Sequence, residues 1–264
     1  MTGVLDILEP LFLKTVDRLY RRLPQPRPTR QRLRRCRIVS HRGEHDNVAV
    51  FENTLPAFEA AADAGVWGLE MDLRWTRDMI PVVIHDPDLQ RLYGRPERIA
   101  DLTLAELNAL DVPVPTLSAV VGRFGGQRHL MVEIKAGTLR HPDLQNRRLK
   151  VLFDGLTAER DFHLISLAPQ EFSRIHFVHP GALLPISRLN IRRLERQVYE
   201  KGYGGLTGHF LFMTTARLRR LWAAGRRAGT GFVNHRRILY REIRRGVDWI
   251  FSDRAVYLQG ICQM

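Results

Sequence analysis

Carboxylates spaced two residues apart are the first feature of this sequence that could carry chemistry. Glu70 and Asp72 lie in one apolar segment, and Glu133 and Lys135 repeat the spacing further along the chain. In a β-strand, residues two apart share a face, so the Cα atoms of Glu70 and Asp72 would lie about 6.6 Å apart. Carboxylates that face one way repel each other unless a cation lies between them. Three hard oxygen ligands suit Mg²⁺ or Ca²⁺ better than zinc, so the pattern predicts one such cation held by Glu70, Asp72 and Glu133.

Two histidines at the ends of apolar runs complete a set suited to phosphodiester cleavage. His41 ends the first predicted strand, and His85 ends the run 81–85. Cleavage of a phosphodiester needs a general base and a general acid, each contributing typically ~10²–10⁴-fold. Arg42 and Lys135 can add charge-assisted contacts to the phosphoryl oxygens. Taken singly, each of these short patterns is more often a turn, a cap or a surface ion pair, so the prediction depends on their combination.

Strand and helix patterns alternate along most of the chain and must position these residues. The first predicted strand ends at His41, and further apolar runs cover 68–73, 81–85, 129–135, 164–167, 183–187, 205–210, 230–234 and 249–252. Helical patterns lie between them, at 54–64, 104–110, 118–124 and 214–225. This alternation predicts an α/β fold in which parallel strands close into a (β/α)8 TIM barrel, with catalytic residues at the strands' C-terminal ends. An open doubly wound sheet is the alternative, but no glycine-rich nucleotide fingerprint follows the first strand.

The N-terminal segment differs from the rest in composition. Residues 4–23 carry apolar side chains at helical spacing with basic residues between them, which predicts an amphipathic basic helix. Prolines at 24, 26 and 28 then predict a stiff linker into an arginine run. We expect residues 1–36 to form this helix and linker and residues 37–264 to form the barrel. Residues 1–35 suit peripheral attachment to an anionic membrane; packing on the barrel as an extra layer that closes its bottom, and dimerisation, are the alternatives.

Composition limits the class of protein. The 264 residues are 44% hydrophobic, enough for one large core, and carry a formal charge of +13 that favours an anionic partner. Cys36 and Cys262 have no metal-type spacing, so two reduced thiols are expected. No run of eighteen apolar residues and no secretory signal pattern is found, which predicts a cytoplasmic protein, peripheral at the inner face of the membrane if the N-terminal segment attaches there. No nucleic-acid recognition motif accompanies the arginines, and no nucleic acid is expected.

The motifs together resemble the glycerophosphodiester phosphodiesterase family. The matching runs are His41-Arg42-Gly43, Glu52-Asn53-Thr54, Glu70-Met71-Asp72, His85-Asp86, Glu133-Ile134-Lys135 and Ser252-Asp253-Arg254, within a resemblance that covers roughly residues 37–256. The resemblance implies a metal-dependent hydrolase that converts glycerophosphodiesters, or lysophospholipids, to an alcohol and glycerol 3-phosphate or a lipid phosphate. By the family pattern, His41 and His85 are the catalytic pair, and Glu70, Asp72 and Glu133 are the metal ligands. Arg42 and Lys135 would contact phosphate, and Glu52 and Asn53 would support the site.

The sequence departs from the family in two places. Residues 231–234 read Gly-Phe-Val-Asn where the family often has Trp-Thr-Val-Asn, so the tryptophan is missing. The connection after His85 is short, which predicts a mouth open to bulky or lipid substrates. His209 and Asn234 end predicted strands and either line the mouth or have structural roles. The competing function is a catalytically weak barrel that binds lipid headgroups at a membrane. Both direct attack by water and a cyclic phosphate intermediate remain open.

Overall fold

Eight parallel strands form a closed barrel in the computed structural model, which describes residue 13 and residues 15–264. The barrel strands are β1 (Ile38–His41), β2 (Gly68–Trp75), β4 (His129–Ile134), β5 (Phe162–Ser166), β6 (Leu183–Ser187), β7 (Gly205–His209), β8 (Arg227–Gly231) and β9 (Trp249–Ser252). They follow one another around the barrel, and β1 closes it by pairing with both β2 and β9. The predicted TIM barrel is therefore confirmed.

The apolar run before His85 is not a barrel strand. Its ordered part, β3 (Pro81–Val83), runs antiparallel to β2, with Leu73 opposite Val83 and Trp75 opposite Pro81. A turn through Met79, which has a left-handed φ of 61°, reverses the chain between the two strands. His85 is thus carried back to the mouth by a hairpin that lies outside the closed ring of strands.

Helices cover the outside of the barrel. They are α1 (Arg30–Arg34), α2 (Leu55–Asp63), α3 (Gln90–Tyr93), α4 (Leu104–Ala109), α5 (Leu117–Phe124), α6 (Pro142–Leu152), α7 (Ile191–Lys201), α8 (Thr215–Ala223), α9 (Arg236–Arg245) and α10 (Ala255–Gln263), with short 3₁₀ segments at Ile99–Asp101, Pro169–Arg174 and Pro180–Ala182. Threonines begin several of them: the Thr54 hydroxyl accepts from the Ala57 amide, and Thr103 forms a capping box with Glu106.

The other predicted strand boundaries agree with the structure to within two residues, whereas β8 is displaced by three residues at each end. The prediction of 230–234 followed the apolar residues Phe232 and Val233, but the strand covers Arg227–Gly231. Pairing sets its position, because Gly205 of β7 lies opposite Arg227. Phe232 then adopts a left-handed φ of 62°, which ends the strand.

Apolar side chains on the two faces of the strands form separate cores. The large core lies between the strands and the surrounding helices and includes Leu69, Met71 and Val132. A smaller core fills the barrel interior with Val39, Met131, Ile165, Leu184 and Trp249. Strand residues therefore alternate between the two, and polar side chains that face the interior beyond the small core must collect at the mouth.

The described part of the N-terminal segment runs down the outside of the barrel from its mouth. Residues 15–20 are helical, and the Tyr20 ring packs edge-on against Phe210 at 5.3 Å, just after β7. Further along, α1 lies against α9 and α10, and Leu33 is fully buried in the large core. Val4, Leu8, Leu11, Phe12 and Lys14 of the predicted amphipathic helix lie outside the described residues. The described part of the segment thus packs on the barrel wall, and its Tyr20 end meets the mouth.

Candidate active site

Strand register brings the predicted metal ligands and one histidine together. The Cα atom of His41 pairs with that of Glu70, and Asp72 pairs with Glu133. Glu70 and Asp72 share the inward face of β2, as their spacing predicted. The oxygen atoms that Glu70, Asp72 and Glu133 offer all lie within 4.8 Å of one another, and all three residues are buried. The predicted ligand set is therefore one compact acidic cluster.

Two cations hold this cluster from within the protein. Lys135 Nζ lies 2.5 Å from Asp72 Oδ1 and 2.7 Å from Glu133 Oε2. Arg42 Nε lies 3.0 Å from Asp72 Oδ2, and the Arg42 amide donates to Glu70 Oε2. Lys135 and Arg42 outweigh the effect of burial and hold the pKa of Asp72 well below its ordinary value. Glu70 receives less help: burial and the Asp72 carboxylate raise its pKa to about 8.

The donor set fits a hard divalent cation. The cluster places three buried carboxylates beside two protein cations, and burial and the Asp72 carboxylate raise the pKa of Glu70, so the cluster is short of positive charge. A divalent ion at the cluster would supply that charge, and oxygen ligands of this kind suit Mg²⁺ or Ca²⁺.

Glu52 and Asn53 support the cluster from the loop that precedes α2. Asn53 donates from Nδ2 to Asp72 Oδ2 at 2.7 Å, and its Oδ1 accepts from the Asp72 amide. The Glu52 carboxylate accepts a hydrogen bond from Arg42 Nη1 at 3.0 Å, and it also accepts hydrogen bonds from the side chains of Asn47 and Arg91. These contacts keep the pKa of Glu52 near 2, although burial opposes them.

Each histidine of the predicted pair is oriented by an aspartate. His41 Nδ1 lies 2.7 Å from Asp253 Oδ1, and His85 Nδ1 lies 2.8 Å from Asp86 Oδ1. Both rings line one cavity, so each can direct its free Nε2 towards a bound group. Their electrostatic settings differ. Burial would lower the pKa of His41, but Glu70 and Asp253 outweigh it and raise the pKa, whereas burial lowers the pKa of His85 and Asp72 only partly offsets this.

A tight backbone crossing fixes the loop after β1. Gly43 has a φ of 81°, and a Cβ atom there would come within 2.6 Å of the Ala57 backbone in α2. Only glycine fits so close an approach. Arg42 and Asn53 also adopt left-handed φ values of 60° and 61°, and the Asn53 amide donates to the Arg42 carbonyl. The conformation of the His41-Arg42-Gly43 run thus aims Arg42 at the acidic cluster.

The cavity above the cluster has an apolar side. It measures about 280 Å³, and Glu70, Glu133 and Lys135 line it on the side of β2 and β4. Across from them, the wall consists of Ile165, Leu167, Ile186, Phe232 and Phe251. His209 also lines this wall but is buried, and Asn234 holds Asp253 through Nδ2 at 2.8 Å.

Three residues of this site, Asp253, Asp86 and Arg91, had no role assigned in the sequence prediction. Asp253 and Asp86 lie in motifs that the resemblance covered, so their positions were visible but their pairing with the histidines was not. Arg91 lay outside every motif; its Nε lies 2.5 Å from Asp86 Oδ2 and its Nη2 2.5 Å from Glu52 Oε1. It therefore links the His85 side of the site to the Arg42 side.

The structure is a parallel barrel with carboxylates, histidines, an arginine and a lysine at the C-terminal ends of its strands. It therefore belongs to the class of TIM-barrel proteins with a polar site that suits an anionic group. The sequence model of the glycerophosphoryl diester phosphodiesterase family matches residues 41–256. The chain belongs to this family.

Individual relatives agree with this assignment. A glycerophosphodiester phosphodiesterase of Caldanaerobacter subterraneus is 32% identical over 44% of this chain and 51% of its own length, so the chain matches only about half of that relative. A probable glycerophosphodiester phosphodiesterase of Mycobacterium tuberculosis is 27% identical over 84% of this chain and 89% of its own. Among solved structures, a phosphodiesterase of Oleispira antarctica in complex with its product sn-glycerol-3-phosphate has a TM-score of 0.68 at 20% identity, covering 86% of this chain and 97% of that one.

Proposed function

We propose that this protein is a metal-dependent phosphodiesterase that hydrolyses glycerophosphodiesters to an alcohol and glycerol 3-phosphate. The observation that carries the proposal is the meeting of two aspartate-oriented histidines with the acidic cluster in one cavity. The sn-glycerol-3-phosphate held by the Oleispira antarctica phosphodiesterase supports glycerol 3-phosphate as the product.

The side chains divide the chemistry between them. Glu70, Asp72 and Glu133 would hold one Mg²⁺ or Ca²⁺ ion, which would supply positive charge to stabilise the phosphoryl oxygens. Arg42 and Lys135 contact the same oxygens, and Glu52 and Asn53 keep Arg42 and Asp72 in place. His41, whose pKa is raised, gives a proton to the leaving alkoxide oxygen. His85, whose pKa is lowered, takes the proton of the attacking oxygen, whether that oxygen belongs to water or to the 2-hydroxyl group of the glycerol.

The apolar wall extends the substrate range to lysophospholipids. Leu167 and Phe232 continue the wall to the outer edge of the cavity, where both are exposed. An acyl chain of a lysophospholipid would lie along this wall, and the product would then be a lipid phosphate. The tryptophan of the family run is replaced by Gly231, which leaves Phe232 as the aromatic residue on that side.

Residues 1–35 attach the enzyme to anionic membrane. The basic residues Arg18, Arg21 and Arg22 and the apolar residues at the start of the chain suit an interfacial anchor, and each basic residue near an anionic bilayer adds about 1 kcal/mol. Within the described residues, no helix is long and apolar enough to span a bilayer.

The test measures hydrolysis of glycerophosphocholine and lysophosphatidylcholine with and without EDTA. EDTA should abolish turnover, and Mg²⁺ or Ca²⁺ should restore it. His41→Ala and His85→Ala should each lose ~10²-fold or more in rate with an unchanged melting temperature. His176→Ala, which removes an exposed histidine from the barrel exterior, is the matched control and should keep the wild-type rate. Metal-independent turnover would contradict the cofactor, and a rate above about a tenth of wild type in either histidine variant would contradict the pair.

A further inference from the structure

Exposed apolar side chains collect at one end of the barrel. Within the described residues, the exposed large apolar side chains located in loops that join a barrel strand to the next helix are Val48, Leu167, Leu189 and Phe232. None is found in the described loops that lead from a helix into a barrel strand, at the opposite end. Exposed apolar groups elsewhere lie on helices, beside the N-terminal helix or at the C-terminus. Chance would spread such groups over both ends, so the asymmetry indicates that the mouth meets an apolar phase.

Three of these side chains are close together and surrounded by arginines. Leu167 and Phe232 line the same cavity as Arg188, and Leu189 follows Arg188 in the chain. Their exposed fractions are 38%, 52% and 53% for Leu167, Phe232 and Leu189. Arg192 lies in the first turn of α7 and Arg236 begins α9, both at the mouth. We call the three apolar residues with Arg188, Arg192 and Arg236 the rim patch.

The charge of the rim patch is not neutralised by the protein. None of its three arginines forms an ion pair with an acidic side chain in the described part of the chain. The local sequence explains why: no Asp or Glu occurs in residues 183–194 or in residues 201–241. An apolar centre with a purely basic border is the arrangement that binds an anionic interface.

The N-terminal segment reaches the barrel at the same side. Asp17 Oδ1 lies 3.8 Å from Nε2 of His209, which lines the cavity, and Arg237 in the first turn of α9 donates to the carbonyls of Arg21 and Arg22. The proposed membrane anchor and the mouth are therefore neighbours. An anchor that joined the opposite end of the barrel would hold the mouth away from the bilayer.

We propose that the rim patch docks on an anionic lipid bilayer, so that the mouth of the barrel opens directly onto the membrane surface. The proposal rests on the membrane attachment proposed above and adds its orientation. Leu167, Leu189 and Phe232 enter the boundary between headgroups and acyl chains, and the arginines contact lipid phosphates. A lysophospholipid then passes from the bilayer into the cavity along the apolar wall without crossing water.

The test places a fluorescent reporter on the rim patch and on a control site in the full-length protein. Leu189→Trp puts a tryptophan at the rim, and Val151→Trp puts one on the outer face of α6, where the native side chain is 77% exposed. On phosphatidylglycerol vesicles that contain brominated lipid, the Leu189→Trp protein should show quenching beyond that of the wild type. The Val151→Trp protein should match the wild type.

A charge test gives a second, independent reading. Arg192→Gln and Arg236→Gln should each weaken partitioning onto phosphatidylglycerol vesicles by about fivefold at low salt. Turnover of glycerophosphocholine should stay at the wild-type rate. Arg147→Gln and Arg219→Gln, which remove the same charge from exposed positions on α6 and α8, should change partitioning less.

The outcomes separate the proposals. Vesicle binding without extra quenching of Leu189→Trp would overturn the docking of the rim patch while leaving the anchor in place. Absence of binding to phosphatidylglycerol at low salt would overturn both. Loss of glycerophosphocholine turnover in a protein that still shows rim quenching would contradict the phosphodiesterase function alone.

Discussion

The charged groups around His41 and His85 give the two histidines different pKa values. An aspartate holds the Nδ1 atom of each ring, but His41 also lies 3.8 Å from Glu70, whose negative charge favours the protonated ring. His85 is partly buried beside Arg42 and Lys135, which disfavour a second positive charge. The same side chain can therefore serve as an acid on one strand and as a base on the adjacent hairpin.

This difference predicts how kcat/KM depends on pH. The acid must be protonated, so the raised pKa of His41 extends activity to higher pH; the base must be neutral, so the lowered pKa of His85 extends it to lower pH. Asp253→Asn removes a carboxylate that raises the pKa of His41 and should move the alkaline limb to lower pH. Asp86→Asn should move the acid limb to lower pH, because Asp86 raises the pKa of His85. Profiles with both limbs unmoved would contradict the assigned roles.

At the residue scale, local spacing predicted part of the site and long-range pairing supplied the rest. The shared face of Glu70 and Asp72 follows from strand periodicity, and the structure confirms it. The contact of Asp72 with Glu133 depends on the register of β2 against β4, which spacing within one strand does not contain. The partner of His41 lies 212 residues away, and Arg91 occupies a short helix with no motif. The roles assigned to the site residues stay predictions until activity is measured.

At the element scale, β4 and β5 close the bottom of the barrel with buried histidines. His129 Nε2 lies 2.8 Å from His163 Nδ1, and the His129 ring stacks on Trp67. Burial lowers the pKa of His129 to about 4 and that of His163 to about 2. Both rings therefore remain neutral in the folded protein at pH values where an unfolded chain would protonate them.

The histidine pair predicts a loss of stability in acid. An unfolded histidine has a pKa near 6.5, so below that pH the unfolded state binds more protons than the folded state, and the free energy of unfolding falls towards pH 4. Its contribution is fully present above about pH 6.5. His163→Gln removes one such group, so the decline should be shallower by up to about 1.4 kcal/mol per pH unit. Urea unfolding between pH 7 and 4 measures this decline in the free energy of unfolding, and His141→Gln is the control at an exposed histidine. Equal declines with pH in the wild type, His163→Gln and His141→Gln would disprove the explanation.

Prediction of the elements succeeded where periodicity and local signals agreed. The helical patterns at 54–64 and 214–225 placed α2 and α8 within two residues of their ends. The prediction failed at β8, because this glycine-rich strand has too few apolar side chains to show a strand pattern. Pairing with β7 sets the ends of β8 instead. The prediction also could not tell that β3 folds back on β2, because an apolar run reads the same in either direction.

At the scale of the whole molecule, the described part of the N-terminal segment packs on the barrel, and attachment to a membrane is the further role that we propose for it. Leu33 and Tyr20 belong to the packing of the barrel, whereas Leu19 and Leu23 are exposed. The division into residues 1–36 and 37–264 stays a prediction. A structural layer and a membrane anchor are compatible if the anchor resides mainly in the first residues of the chain.

Two truncations distinguish packing on the barrel from attachment to a membrane. Deleting residues 2–12 removes Val4, Leu8, Leu11 and Phe12 and should lower binding to phosphatidylglycerol vesicles by tenfold or more, since each large apolar side chain contributes about 1.5–3 kcal/mol when buried. Turnover of glycerophosphocholine and the melting temperature should not change. Deleting residues 2–35 also removes Leu33 from the core and should lower the melting temperature by several degrees. Vesicle binding that survives the shorter deletion unchanged would place the anchor elsewhere.

The closure of the barrel through β1 and β9 has a consequence for the order of events during synthesis. The His41–Asp253 contact joins residues 212 positions apart, and β1 cannot complete its pairing until β9 has been made. Contacts between such distant residues form late and slow the folding of the chain. A growing chain therefore carries His41, the acidic cluster and His85 long before it has the aspartate that holds His41. If the proposed activity is correct, it should appear only when synthesis has nearly finished, and C-terminally clipped chains that lack β9 should be inactive.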